Sequence, residues 1–189
     1  MVSGTIFGRL FAALCGVLLM SASPMAAADV SLTLSSGLKA KLSALPHLTG
    51  ETLTAADLAG KITIVSFFAS WCPPCNAEFR HLAELREHYG DTLTIVSVNV
   101  FEDYGGFKDR GARLRRFLTR HDPQHAVIAG DPSVREVFGN IERIPTLYIF
   151  GRDGKSVFEF IHAQGAAKTN ATMAEVLAAV DAALRAPSG

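Results

Sequence analysis

Lys61-Ile62-Thr63-Ile64-Val65-Ser66-Phe67-Phe68 runs straight into Ala69-Ser70-Trp71-Cys72-Pro73-Pro74-Cys75, and the reading of this stretch decides the fold. The first part is β-branched and aromatic, too short for a helix and suited to a buried strand. Two prolines directly after Cys72 fit the first turn of a helix, where a missing N–H has no helical partner to lose. Phe79, Leu82, Leu85 and Tyr89 then recur at helical spacing and Gly90 ends the run, which predicts a helix opening at the cysteine motif and ending near Tyr89. Thr92 to Val100 reads as a second buried strand. Strand, helix and strand in this order predict a parallel βαβ unit.

Upstream, Leu53 to Gly60 reads as a short helical turn. Downstream of Gly105-Gly106, the residues Phe107, Leu114, Phe117 and Leu118 space an apolar stripe through a Lys/Arg-rich stretch. Ala126 to Ala129 is a short strand, and Asp131-Pro132 starts a short helix through Val134, Val137 and Phe138, with Gly139 past its end. Ile144-Pro145-Thr146-Leu147-Tyr148-Ile149-Phe150 is a strand that begins at a proline, and Gly151-Arg152-Asp153-Gly154 turns it into a partner strand, Lys155 to Ile161. Met173, Val176, Leu177, Val180 and Leu184 line one face of a last helix, with Thr172 and Glu175 spaced as a capping box. The pattern predicts one α/β domain, a central mixed sheet flanked by helices.

Composition narrows the function classes. The chain has 189 residues, 18 Lys+Arg balanced by 18 Asp+Glu, and 49% hydrophobic residues. Zero formal charge removes the electrostatic warrant for nucleic-acid binding, because neutralising phosphates takes a surplus of Lys and Arg. Much of the hydrophobicity sits at the N-terminus: Arg9 precedes an apolar run from Leu10 to Met20, and small residues close the segment at Ala26-Ala27-Ala28. This reads as a secretory signal peptide over residues 1–28, cleaved after Ala28. The apolar run is well short of the ~20 residues of a spanning helix, which argues against a retained anchor. Cleavage leaves a domain of residues 29–189, and Cys15 departs with the signal. The odd cysteine of three is thereby removed, and Cys72 and Cys75 remain as a pair in an oxidising compartment.

A strand feeding into the pair and a helix leaving from it place Cys72 at the helix N-cap, where free N–H groups and the helix dipole favour a thiolate. Cys75 lies one turn inside, placed to attack a mixed disulfide. Pro73 and Pro74 remove two donors and leave the N–H groups of Cys75 and Asn76, so the expected thiol pKa shift is moderate and the couple reducing. Two other chemistries use the same cysteines. Half of a zinc site would need further ligands from the scattered His47, His81, His88, His121, His125 and His162. A copper-binding, metallochaperone-like module would use the soft thiolates, with no Met- or His-rich tract beside them.

Phe67 to Cys75 together with Ile144-Pro145-Thr146-Leu147 resembles the two signature segments of the thioredoxin superfamily. The export signal, the Trp-Cys-Pro-Pro-Cys form and the Leu58-Ala59-Gly60-Lys61 lead-in resemble its bacterial periplasmic TlpA/ResA-like branch, which includes the thioredoxins of cytochrome c maturation. The resemblance covers about Leu45 to Leu184. It implies a thioredoxin fold and a thiol–disulfide oxidoreductase with no cofactor beyond the redox-active Cys72–Cys75 disulfide. Cys72 matches the nucleophile, Cys75 the resolving cysteine and Pro145 a cis-proline beside them, with Trp71, Pro73, Pro74 and Ile144 on the substrate side. Glu78 matches an acidic residue that relays the proton of Cys75. The implied clients are protein disulfides, apocytochrome c or a copper-site cysteine pair among them. A membrane thiol carrier would supply electrons, and a general disulfide oxidase or isomerase is the alternative. Ser66 stands where cytosolic thioredoxins place a buried Asp, Phe68 replaces a common Trp, and Phe101 to His125 matches no signature, so substrate choice is expected there. The basic stretch Lys108 to Arg120 reads as a solvated helix face.

Overall fold

The computed structural model describes Met1 and residues 32–49, 52–104 and 111–186. The chain divides into two compact units, Met1–Val30 and Ser31–Gly189, and the second carries the sheet and its flanking helices. The signal peptide expected over residues 1–28, with Cys15, and the residues Gly105, Gly106, Phe107, Lys108 and Arg110 lie outside the described residues.

Five strands form one mixed sheet: β1 (Ile62–Phe68), β2 (Leu93–Asn99), β3 (Ala126–Ala129), β4 (Thr146–Phe150) and β5 (Ser156–Ile161), in the order β3-β2-β1-β4-β5. β1, β2 and β3 are parallel, while β4 runs antiparallel to β1 and β5 antiparallel to β4. Every residue of β1, β2 and β4 is buried, as expected for central strands covered on both faces. The helices are α1 (Ser36–Ala44), α2 (Pro73–Tyr89), α3 (Ala112–His121), α4 (Pro132–Val137) and α5 (Met173–Arg185). This is the thioredoxin-like fold expected from the sequence.

Alternation along β1 sorts the core into two layers. Ile62 and Ile64 join Leu82 and Leu85 of α2 and Val176 and Val180 of α5 in one cluster. Phe67 points the other way and packs edge-on against Phe138, 5.0 Å between ring centroids, just past α4. Phe68 returns to the α2 side, where Phe79 and Phe117 of α3 close around it at 4.6 and 5.3 Å. The β4–β5 hairpin closes through Gly154 at φ +80°, a left-handed position where a Cβ would lie 3.1 Å from the Leu34 carbonyl oxygen. Thr172 and Glu175 form the predicted capping box at the start of α5.

The short turn expected between Leu53 and Gly60 is present, closed by the Asp57 N–H on the Thr54 carbonyl at 3.2 Å, with Asp57 Oδ2 accepting both the backbone N–H and the hydroxyl of Thr54. One local reading differs from the sequence pattern. A helix not anticipated from the sequence, α1, spans Ser36–Ala44, capped by the Ser35 hydroxyl and burying only Leu38 and Leu42.

Candidate active site

The parallel strands β1, β2 and β3 end at the same edge of the sheet, the usual place for a site in such an architecture. β1 leaves the sheet at Phe68, and a turn closed by Cys72 N–H to the Ala69 carbonyl (3.2 Å) delivers the chain to α2. Cys72 is the N-cap of that helix, with Pro73 and Pro74 in its first turn. Its Sγ accepts the N–H of Cys75 at 3.3 Å, the donor that the prolines leave available. Cys72 and Cys75 are joined as a disulfide, their Cα atoms 5.3 Å apart. Cys72 keeps 3% of its surface exposed and Cys75 none, so an outside molecule reaches the pair through Cys72.

Glu78 lies one turn beyond Cys75 on the same helical face and is buried. Its carboxyl meets the hydroxyl of Ser66, which donates to Oε1, while Oε2 has no partner among the described residues. Burial pushes the Glu78 carboxyl up to about 8, against a smaller downward pull from the Ser66 hydrogen bond. The position on β1 that lacks an acid is therefore filled by a serine facing an acid from α2.

Antiparallel pairing sets Thr146 opposite Phe67, so the start of β4 lies beside the end of β1. The peptide bond just before it, Ile144–Pro145, is cis. His162, beyond β5, donates from Nδ1 to the Ile144 carbonyl at 2.9 Å; a carbonyl accepts only, so Nδ1 carries the proton. Trp71 is half-buried, with its indole N–H on the Phe101 carbonyl at 2.7 Å and its ring stacked on Tyr104 at 5.2 Å. Glu102 accepts from the Ser70 N–H (2.6 Å) and the Asn99 amide (2.7 Å) through Oε1, and from the Ser70 hydroxyl (2.7 Å) through Oε2. Asn76 donates to the Cys72 carbonyl at 3.2 Å and accepts from His121 of α3 at 2.9 Å.

The structure thus gathers Trp71, Cys72, Pro73, Pro74, Cys75 and Glu78 at the head of α2, with Ile144 and Pro145 just before the strand next to β1. Glu102, His121 and His162 were not singled out as site residues by sequence reasoning, since each reaches the motif only through strand order or helix packing. Among the described residues, no group of three or more His, Cys, Asp or Glu comes together in a way that could hold a metal ion, and no helix is long and apolar enough to cross a membrane.

Residues 36–157 match the AhpC/TSA family model. The chain belongs to the AhpC/TSA family. Curated relatives of this AhpC/TSA-family chain include the thiol:disulfide interchange protein CycY of Rhizobium leguminosarum bv. viciae, 32% identical over 124 residues, or 65% of this chain and 62% of the relative. The thiol-disulfide oxidoreductase ResA of Bacillus subtilis is 26% identical over 127 residues, 66% of each chain. The thioredoxin-like protein YneN of the same organism is 29% identical over 118 residues, 62% of this chain and 65% of the relative. The chain thus spans just under two thirds of the length of these relatives. Among solved structures, a secreted Mycobacterium tuberculosis disulfide oxidoreductase homologous to E. coli DsbE superposes with a TM-score of 0.59, at 21% identity over 75% of this chain and 97% of that one. At that identity the likeness supports the fold.

Proposed function

We propose that the chain is an exported thiol–disulfide oxidoreductase that reduces disulfides in protein clients. One observation carries the reading: a cysteine pair at the head of α2, barely reachable at Cys72, with a buried carboxyl one turn further on. The relatives CycY, a thiol:disulfide interchange protein, and ResA, a thiol-disulfide oxidoreductase, agree with this chemistry.

In the reduced protein the Cys72 thiolate attacks a client disulfide, forming a mixed disulfide and releasing one client thiolate. Cys75 then attacks Cys72 Sγ, the Cys72–Cys75 bond forms, and the second client sulfur leaves; two electrons have moved to the client. Cys75 must lose its proton for the second step. Glu78, raised to about 8 by burial, is mostly protonated near neutral pH, and its ionised fraction is basic enough to take that proton. Trp71, Pro73, Pro74 and the peptide groups of Ile144 and Pro145 form the walls along which a client strand lies. The signal over residues 1–28 directs the domain of residues 29–189 to the periplasm. A membrane thiol carrier regenerates the dithiol, and apocytochrome c or a copper-site cysteine pair supplies the client disulfide.

Trapping tests the mechanism. Cys75→Ser blocks the second step, so clients should accumulate as mixed disulfides on Cys72 and be released by dithiothreitol. No trapped species from a periplasmic extract, or equal trapping by Cys72→Ser, would overturn it. Stoichiometric copper retained by the reduced wild type, with no insulin reduction, would favour the metal-binding alternative instead.

A further inference from the structure

The segment from Asn99 to Tyr104 leaves the end of β2 and runs alongside the turn that delivers Cys72. Its polar groups are spent on that turn. Glu102 takes the Ser70 N–H and hydroxyl, the Phe101 carbonyl takes the Trp71 indole N–H, and the Asn99 amide reaches both Glu102 and the Phe68 carbonyl. Phe101 adopts a left-handed φ of +59° to present its carbonyl, a conformation that a bulky residue adopts only when its surroundings impose it.

On its other side the segment borders a cleft of about 360 Å³, lined also by Gly130, Pro132 and Arg135, whose guanidinium lies 4.7 Å from the Phe101 ring centre. Beside the cleft, the segment is anchored by the buried Val100 and by hydrogen bonds to the turn. Three hydrogen bonds converge on the two oxygens of the Glu102 carboxyl, from the Ser70 N–H, the Ser70 hydroxyl and the Asn99 amide.

We propose that Glu102 is the positioning residue of the site: its carboxylate holds the Ala69–Trp71 turn, and through it Cys72 and the Trp71–Tyr104 wall, in the geometry that attack on a client disulfide requires. The inference rests on the thiol–disulfide function proposed for this site. Glu102 touches neither sulfur. It acts through Ser70, two residues before Cys72, and through Phe101, which holds Trp71.

Trp71 is the sole tryptophan of the chain, so its fluorescence reports on this clamp directly. Three measurements on the full domain suffice: acrylamide quenching of Trp71, the pH profile of Cys72 alkylation by iodoacetamide in the reduced protein, and kcat and KM for insulin reduction. Glu102→Ala should raise the quenching constant about twofold, displace the alkylation profile and lower kcat/KM for insulin by roughly tenfold, since small misplacements of a reacting group carry costs of that order. Glu102→Gln should recover most of all three, because its amide oxygen still accepts the Ser70 and Asn99 donors and its amide N–H can donate to the Ser70 hydroxyl. Ser70→Ala, which removes one of the carboxylate's bonds, should fall between and serves if Glu102→Ala fails to fold. Unchanged quenching and alkylation in Glu102→Ala, or a Gln variant as impaired as the Ala variant, would overturn the proposal. If the wild type itself reduces no insulin, the oxidoreductase reading fails, and quenching with alkylation still decides the role of Glu102.

Discussion

Glu78→Gln in the disulfide-bonded protein removes one proton site and keeps nearly the same shape, which isolates what the buried carboxyl does to stability. Burial raises its pKa from 4.5 to about 8 in the folded chain; unfolding returns it to the ordinary value. Between those values the native state holds a proton that the unfolded state has released, so stability falls as pH rises through the window. At about 1.36 kcal/mol per pH unit, the loss approaches roughly 4–5 kcal/mol by pH 8. His125 works in the opposite direction. It is buried against Ser97, and burial lowers its pKa from 6.5 to about 3. There the unfolded state binds the extra proton, and stability rises with pH between those two values. The two slopes oppose each other from pH 4.5 to 6.5, and Glu78 acts without that counterweight from 6.5 to about 8.

Urea unfolding of both oxidised proteins, fitted by linear extrapolation, reads these slopes. From these two groups the wild type should be nearly level from pH 5 to 6.5 and then lose about 1 kcal/mol by pH 8. The Gln variant should gain stability up to pH 6.5 and stay level above it. The difference between the two, in which all other groups cancel, should grow from under about 1 kcal/mol at pH 5 to about 4 kcal/mol at pH 8. A difference that stays constant across this range would mean that Glu78 ionises near its ordinary pKa when folded, and the inference from burial would be wrong.

Three further substitutions probe the frame around the site. Phe117→Ala empties the ring that α3 packs against Phe68 and Phe79 at 5.3 and 4.8 Å; urea unfolding should show a loss of about 3–5 kcal/mol, and a loss under about 1 kcal/mol would remove this contact from the core. Gly130→Ala sets a Cβ 2.7 Å from methyl carbons of both Val98 and Val100, beside the Asn99 carbonyl oxygen at 3.1 Å. Overpacking there should lower stability by about 1–3 kcal/mol, and an unchanged melting temperature would count against the close approach. Thr172→Ala breaks the capping box of α5, in which its hydroxyl accepts the Glu175 N–H; a loss of about 1 kcal/mol by calorimetry is expected, and no loss would mean that the cap contributes nothing.

The fold was legible wherever burial wrote itself into contiguous residues. β1 and β2 are buried on both faces and mostly apolar, and the two prolines with Gly90 bracket α2 at the predicted ends. α1 was not legible, because Leu38 and Leu42 are its only buried residues and lysines stand beside them. Its stability comes from tertiary contacts such as the 2.7 Å bond from Lys41 to Ser133 of α4, which no local pattern announces. The turn between Leu53 and Gly60 was legible from its spacing: Leu53 and Leu58 are buried, and an Asp57–Thr54 side-chain bond closes it.

The site divides along the same line. Trp71 to Cys75 could be read because its chemistry is contiguous, and Glu78 because one helical turn carries it to the same face. Ser66 reads as the loss of an acid, and there the sequence pattern stops short. Serine on a fully buried strand leaves room, beside the disulfide-bearing helix, for a longer side chain entering from α2, and its hydroxyl supplies the one hydrogen bond that this carboxyl receives. An Asp at that strand position would bring a second carboxyl against Glu78, and two carboxyls in one buried space cannot both ionise. The serine and the glutamate are therefore one choice. Moving the acid from strand to helix requires that the strand give up its own, and that dependence becomes visible only when β1 and α2 are set face to face.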